Sequence, residues 1–296
     1  MNENAPLQDD RLRIATCRLR DALGIPLRVP IVQAVLGDCA GIRLLRAVDR
    51  AGALPTLSVA GWRPNQARRW FRRLEQAVGN RSIIAFTGDW EREEVLDEAF
   101  DAGFRVFQTF WWNSERLVPR IQKRGGRAVV QVGSMAQASE AIGRGANALL
   151  LQGVEAGGPV RSSVPLEDFL HQVRSDFGAD PLLLAGGGLS TRDDVEWVIA
   201  SGADAAVLGT RFLLSEESRA NGRDKARLCA ADSERLLLDT RLVGPWPCAP
   251  RRRLQTLPDD DRPGLFAGMG LGTMHRVEPV SDIVRKLLPN RPLHPC

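Results

Sequence analysis

The sequence predicts an α/β chain folded as one (β/α)8 barrel, with a small inserted segment before a C-terminal helix. Three observations predict it. An amphipathic stretch that ends in a glycine-containing step recurs along the chain, each time followed by a short apolar run. Eight apolar runs lie within about 215 residues, which matches the size of a closed barrel. The first run is not followed by a G-x-G-x-x-G turn, which disfavours the competing doubly wound open sheet.

The runs appear in order. PIVQAVL lies near residue 30, and ALPTLSV follows Arg50-Ala51-Gly52. SIIAF lies near 82, and FRVFQT follows Asp101-Ala102-Gly103. RAVVQV follows Lys123-Arg124-Gly125-Gly126, and NALLLQ follows Arg144-Gly145-Ala146. PLLLAG lies near 181, and DAAVLG follows Ser201-Gly202-Ala203. The glycines suit left-handed helix C-caps, and the runs suit strands buried on both faces. Helical patterns at Pro64–Val78, Glu91–Phe100, Met135–Ile142 and Arg192–Ala200 fall between them, as in parallel βαβ units. The barrel is expected over residues 1–214. Residues 215–263 break the rhythm with a charged helical stretch (Arg219–Leu238), the Pro-rich GPWPCAP (244–250) and the acidic PDDDRPG (258–264). They are expected to form an excursion over the barrel mouth or flank. Residues 264–296 then return to the barrel through a last helix, about Pro279–Leu288.

Composition narrows the function classes. The 296 residues are 44% hydrophobic and 26% charged, ordinary for a globular domain. No apolar run approaches the roughly 20 residues that span a bilayer. Met1 to Asp10 is polar and acidic, with no basic-then-apolar leader pattern, so a cytoplasmic protein is expected. The net charge is +4, but Lys occurs only at 123, 225 and 286, and the many Arg residues scatter over helix faces. The one tight run, Arg251-Arg252-Arg253, reads as solvated surface rather than a nucleic-acid footprint. Five cysteines, odd in number and without close pairing, argue against a disulfide framework and a zinc site; no metal is expected. A homodimer, or a weaker association, through helix faces is expected, with no patch marked for it.

In such barrels, function sits on the loops that follow the strands. After the seventh run comes Ala185-Gly186-Gly187-Gly188-Leu189-Ser190, and after the eighth Gly209-Thr210-Arg211-Phe212. Glycines there let bare backbone N–H groups approach an anion, and this pair of loops is the usual phosphate seat of a barrel. The phosphate belongs either to a flavin mononucleotide (FMN) or to a sugar-phosphate substrate.

Several segments resemble the nitronate monooxygenase family, which also includes flavin-dependent enoyl reductases. They are Leu23-Gly24-Ile25, Pro30-Ile31-Val32-Gln33-Ala34, Gly145-Ala146-Asn147 and the specific Gln152-Gly153-Val154-Glu155-Ala156-Gly157-Gly158. Gly187-Gly188-Leu189, Gly209-Thr210-Arg211-Phe212 and Phe266-Ala267-Gly268 continue the likeness. The resemblance implies FMN at the barrel mouth, its phosphate held by Gly187, Gly188, Gly209 and Thr210. Gln152, Gly157 and Gly158 would line the ribityl chain and ring, and the backbone from Ala34 through Val35 to Leu36 would face the isoalloxazine. Gln131 sits where the family often places a polar flavin contact; otherwise Gln131 and Gln152 are satisfied polar residues at strand ends.

The chain departs from the family at three places. Pro159 stands where the family has the histidine that takes a substrate proton. Val35-Leu36 replaces the family's Pro-Met, and Ala85-Phe86-Thr87 ends the third run where the family usually has Asn. A positioned base contributes about 10²–10⁴ in rate, so turnover of a neutral nitroalkane should suffer. A pre-formed nitronate needs no proton removed. Candidate replacements are His275, on a glycine-rich segment, and Glu155, whose family role is structural. His171 falls on the outside of a helix and His294 in the tail. Asp38 and Cys39 lie at the first strand's mouth, Cys39 as a small packing residue. Trp111-Trp112 either wall a pocket or are buried. The expected function is an FMN oxidoreductase that oxidises a small nitronate or related carbanion with O₂ as acceptor. A C=C reductase using NAD(P)H and a non-catalytic flavin- or partner-binding barrel are the alternatives.

Overall fold

The computed structural model describes residues 5–87, 93–110, 113–240, 249–255 and 265–289. Its strands are β1 (Ile31–Gln33), β2 (Thr56–Ser58), β3 (Ile83–Phe86), β4 (Val106–Phe110), β5 (Arg127–Val132), β6 (Ala148–Gln152), β7 (Gly158–Pro159), β8 (Leu182–Gly186), β9 (Ala205–Leu208), β10 (Leu236–Asp239) and β11 (Arg251–Leu254). Eight of them form one parallel sheet in the order β1-β9-β8-β6-β5-β4-β3-β2. Gln33 N donates to Leu54 O, and Leu54 N donates to Ile31 O, both at 2.9 Å, which brings the two edges together as a barrel. The eight apolar runs of the sequence are these eight strands.

The helices α1 (Ala5–Leu23), α2 (Ile42–Arg50), α3 (Pro64–Val78), α4 (Glu93–Asp101), α5 (Ser114–Lys123), α6 (Met135–Gly143), α7 (Leu166–Phe177) and α8 (Arg192–Ala200) alternate with the barrel strands after α1. They bury one stripe each against the outward strand residues, as Phe71, Leu74 and Val78 of α3 do at i, i+3 and i+7. The inward residues form a separate apolar layer that includes Val32, Ile83, Val106 and Val129. Strand side chains alternate between faces, so a strand covered by helices outside and packed inside is apolar throughout.

The sequence reading assigned α1 no structure. Leu12, Ala15, Leu19 and Leu23 recur at helical spacing along it and are buried. Leu19 and Leu23, with Ile25 and Leu27, join the inward layer and close the barrel's N-terminal end. Asp204 anchors this end. Its Oδ2 accepts from Leu183 N at 2.9 Å and from Arg174 Nη2 at 3.0 Å, and its Oδ1 meets Arg18 Nε at 3.0 Å.

The excursion differs from expectation. The stretch 219–238 is helical only over α10 (Gly222–Cys229), which Asn221 caps by accepting from Asp224 N. Asp232 then caps a short turn at Ser233–Arg235, and the chain extends into β10. β10 pairs antiparallel with β11, and β11 with β7, as a three-stranded side sheet. The run Arg251-Arg252-Arg253 is therefore a strand, not a free surface. GPWPCAP lies mostly, and PDDDRPG wholly, outside the described residues, as do Trp111, Trp112 and His294. The last helix is α11 (Val280–Lys286), after the short α9 (Thr210–Leu213) that follows β9. Cys17 is disulfide-bonded, which corrects the expectation drawn from cysteine spacing; spacing along a chain does not report proximity in space. Cys39 and Cys229 are free thiols. Among the described residues, no helix is long and apolar enough to cross a membrane, and no cluster of side chains could hold a metal ion.

Candidate functional site

A cavity of about 580 Å³ opens at the C-terminal ends of the barrel strands. Its floor follows from the strand pattern. Two residues beyond the apolar inward layer, Val106 gives way to Gln108, Val129 to Gln131 and Leu150 to Gln152, and all three glutamines line the cavity. Gln108 Nε2 donates to Gln131 Oε1 at 2.9 Å, so two adjacent strands present one linked amide pair. Ser58 and Thr87 continue the polar row on β2 and after β3.

Gln152 does a different job. Its Nε2 donates to Pro159 O at 2.9 Å and its Oε1 accepts from Arg161 N at 2.9 Å. Both ends of the amide thus fold the loop after β6 back over the barrel. Glu155 is also occupied: both of its oxygens accept from Leu166 N, at 3.3 and 3.2 Å, satisfying an orphan donor in the first turn of α7. Arg252 completes the loop. Its Nη2 donates to Val154 O at 2.8 Å and its Nε to Ala156 O at 3.2 Å. Burial lowers the affinity of this guanidinium for its proton, with Glu155 opposing the shift.

The glycine turns after β8 and β9 reach the same cavity. Gly187, Gly188, Gly209 and Thr210 line it, as do Ala34, Val35 and Leu36 after β1 and Gly157, Gly158 and Pro159 after β6. Gly188 has φ +71°, and a Cβ there would stand 3.0 Å from Glu155 Cβ, so only glycine fits without strain. The turn is held from below by a capping box on α8, in which Asp194 Oδ2 accepts from Ser190 N and Thr191 N, both at 2.8 Å.

Residues 265–274 clasp these turns together. Met269 N donates to Glu155 O at 2.9 Å, and Gly268 N donates to Thr210 Oγ1 at 3.0 Å. A Cβ on Gly157 would lie 2.5 Å from Ala267 C, and one on Gly270 would lie 2.2 Å from Gly188 O. The clasp is backbone against backbone. It brings Leu265, Phe266 and Met274 onto the cavity wall.

Of the sequence candidates, the eleven proposed cofactor-contact residues and Pro159 all line this cavity. His275 does not: it is exposed, while its neighbour Met274 is buried and lines the wall. The glycine-rich segment before His275 does reach the cavity wall, through Gly268, Gly270 and Met274, but the His275 side chain is exposed. Glu155 Oε1 and Oε2 face α7 rather than the cavity, which leaves it a loop-holding residue. Asp38 and Cys39 do line the cavity, and burial pushes the Cys39 thiol up, aided by Asp38 and Asp224. Reading the sequence missed Ser58, Gln108, Asp224, Met274 and Arg252. The glutamine recurring two residues past an inward valine or leucine was available as a signal; for the others nothing local marks them.

A family model described as nitronate monooxygenase matches residues 95–257. The chain is 28% identical over 250 residues to a (3aS,4S,5R,7aS)-5-hydroxy-7a-methyl-1-oxo-octahydro-1H-indene-4-carboxyl-CoA dehydrogenase of Mycobacterium tuberculosis, covering 81% of this chain and 67% of the relative. The Rhodococcus jostii enzyme of the same name is 26% identical over 206 residues, 68% of this chain and only 57% of that one. Among solved structures, FabK from Thermotoga maritima superposes with a TM-score of 0.82 at 20% identity, over 91% of this chain and 94% of that one. A nitroalkane oxidase from Streptomyces ansochromogenes gives 0.75 at 24% identity, over 91% and 96%. At such identities these two structures speak for the fold alone.

Proposed function

The chain belongs to the nitronate monooxygenase family, and from that premise we propose that it is an FMN-dependent oxidoreductase that takes its substrate as a pre-formed nitronate or similar carbanion, with O₂ as acceptor. One observation carries the reading: the glycine turns after β8 and β9 and the Gln152–Pro159 loop, distant in sequence, open onto a single cavity. Its volume lies within the roughly 300–1,000 Å³ of small-molecule sites.

The residues fit the cofactor. Gly187, Gly188, Gly209 and Thr210 offer bare main chain to a phosphate, and no described lysine or arginine on the wall competes for it. The Gln108–Gln131 pair, with Ser58 and Thr87, offers donors and acceptors of the kind a flavin ring edge accepts. Leu150 and Val207 provide an apolar floor. Bound there, FMN supplies the electron-accepting chemistry. The chain's own part is to hold it, orient the substrate against it and exclude water.

Pro159 limits that chemistry. It lines the cavity with a side chain that can hold no proton, and its carbonyl is already bound by Gln152. The neighbouring carboxylate, Glu155, is turned to α7. Neutral nitroalkanes should therefore turn over negligibly, while the matching nitronates should be less affected. Oxygen uptake with paired nitroalkane and nitronate tests this, on the native protein and on Pro159→His. Turnover of the nitronate alone, with a gain on the neutral substrate in the variant, supports the reading. Equal rates on both substrates in the native protein would mean a base acts elsewhere. No turnover of either would sink it.

The kinship to proteins named as CoA dehydrogenases supports a second reading, flavin-dependent hydrogen transfer to or from a carbon substrate without O₂, of which a C=C reductase using NAD(P)H is the reverse direction. Anaerobic flavin bleaching by NADH or NADPH separates the two.

A further inference from the structure

Residues 265–274 fasten to three loops at once, and one of the three fastenings leaves a proton over. Met269 N donates to Glu155 O in the loop after β6, and Thr273 Oγ1 donates to Ser190 Oγ after β8 at 2.8 Å. Gly268 N donates to Thr210 Oγ1 after β9 at 3.0 Å. A hydroxyl has one proton to give and lone pairs to receive. The Ser190 hydroxyl uses both, accepting from Thr273 and donating to Asp194 Oδ2 at 3.3 Å. Glu155 O is a main-chain carbonyl with no proton. Thr210 Oγ1 only accepts: among the described residues nothing receives its proton. Thr210 lines the cavity with Gly187, Gly188 and Gly209.

We propose that Thr210 couples the phosphate of the bound flavin to the 265–274 segment. Its hydroxyl donates to the phosphate while it accepts from Gly268 N, so that FMN, and not unphosphorylated riboflavin, fixes the segment in place. The inference rests on the reading of this cavity as an FMN site.

Hydrogen bonds in a chain polarise one another. A hydroxyl whose proton is drawn to an anion is a better acceptor, so phosphate at Thr210 strengthens the bond from Gly268 N. By linkage, the Gly268 bond strengthens phosphate binding by the same factor. The segment is built to tighten rather than to detach. Ala267, Leu271 and Met274 are buried in an apolar cluster with Leu214, Leu236 and Leu254, which anchors it whether or not the seat is filled. Phe266 and Met269, by contrast, are 43% and 37% exposed. The segment also carries Leu265, Phe266 and Met274 onto the cavity wall. An anion in the seat therefore orders part of the wall that a substrate meets.

The test is hydrogen exchange over residues 265–274 beside fluorescence titration, each with FMN and with riboflavin. In the native protein, saturating FMN should slow exchange in the segment more than saturating riboflavin does. Thr210→Val should bind FMN about tenfold or more weakly, bind riboflavin as the native protein does, and exchange equally with either flavin. Thr210→Ser keeps the hydroxyl and should behave as native. Thr273→Val releases the fastening to Ser190 and should keep the advantage of FMN over riboflavin. Native FMN affinity in folded Thr210→Val would overturn the proposal, as would an FMN advantage in exchange that survives there. Equal loss of FMN and riboflavin affinity in that variant, the mark of a merely structural role, would overturn it too, and so would loss of the FMN advantage in Thr273→Val. If neither flavin binds the native protein, the cofactor reading falls and the coupling with it. If FMN binds tightly but the segment exchanges alike with both flavins, only the coupling is rejected.

Discussion

Gly209 offers a sharper probe of the phosphate seat than Gly188, and the structure says why. At Gly188 the backbone has φ +71° and a new Cβ would lie 3.0 Å from Glu155 Cβ. Left-handed backbone costs an L-residue about 1–2 kcal/mol before any contact is counted. Gly188→Ala or Gly188→Val would lose flavin and fold stability together, and neither loss would explain the other. At Gly209 the backbone has φ −103°, open to any residue. Its Cβ would meet only Ala34 Cβ at 3.6 Å and Leu36 Cδ2 at 3.9 Å, both ordinary contacts on the cavity wall. Gly209→Ala should therefore fold normally, neutral or up to about 1 kcal/mol more stable. Its methyl enters the space where a phosphate must approach the main chain. Losing one hydrogen bond to a charged group costs about 1.5–3 kcal/mol, or roughly 10- to 100-fold in affinity. The assay is thermal denaturation of the flavin-free protein beside fluorescence titration with FMN. Native-like FMN affinity in Gly209→Ala would refute the seat, and a large loss of stability would refute the reasoning about its backbone.

Three other perturbations follow from named contacts. Arg252→Met keeps the bulk but removes the guanidinium from Val154 O and Ala156 O. It should cost about 1–3 kcal/mol in urea unfolding and weaken FMN retention; an unchanged variant would show that the side sheet does not hold the loop after β6. Glu278 is buried, which alone would raise its pKa, yet Lys286, Arg211 and Arg276 together hold it below the ordinary glutamate value. Such a group contributes stability that is present above its unfolded pKa and lost as pH falls through the folded value. Melting curves from neutral to acid pH should fall more steeply for the native protein than for Glu278→Gln, and identical slopes would contradict this. Asp204→Ala strands Arg174 and the Leu183 N–H at the closed end of the barrel, at a cost of about 3–5 kcal/mol by chemical denaturation. FMN affinity of the folded fraction should be kept, because the cavity opens at the other end.

How far the sequence speaks depends on whether a feature is local. The eight strands were legible because each is a contiguous apolar run after a glycine cap, and helices α3 and α8 were legible to the residue because a proline or a Thr191 cap marks where they start. The glycine turns were legible as turns, but that they meet in one cavity with the loop after β6 follows only from the closed barrel. The same periodicity that revealed α3 was present in α1 at Leu12, Ala15, Leu19 and Leu23, yet α1 precedes the first strand, so the strand–helix alternation gave it no place. The side sheet left no comparable trace. Its register joins Arg252 to Gly158, far apart in the chain, and three consecutive arginines look the same whether they face water or thread the carbonyls of a loop. Asp224 was invisible for the same reason, since only the fold brings it to the cavity that the loop after β1 also lines. Pro159 lies between these cases. Its identity announced a missing proton acceptor, but only the structure shows that the residue is also a strand partner of Arg251 and that its carbonyl is bound by Gln152. A histidine placed there inherits a loop held on three sides, by Gln152, Arg252 and the 265–274 clasp. The backbone is therefore pre-set to aim the new side chain, so a failed rescue in Pro159→His would count against the assigned chemistry rather than against a loose loop.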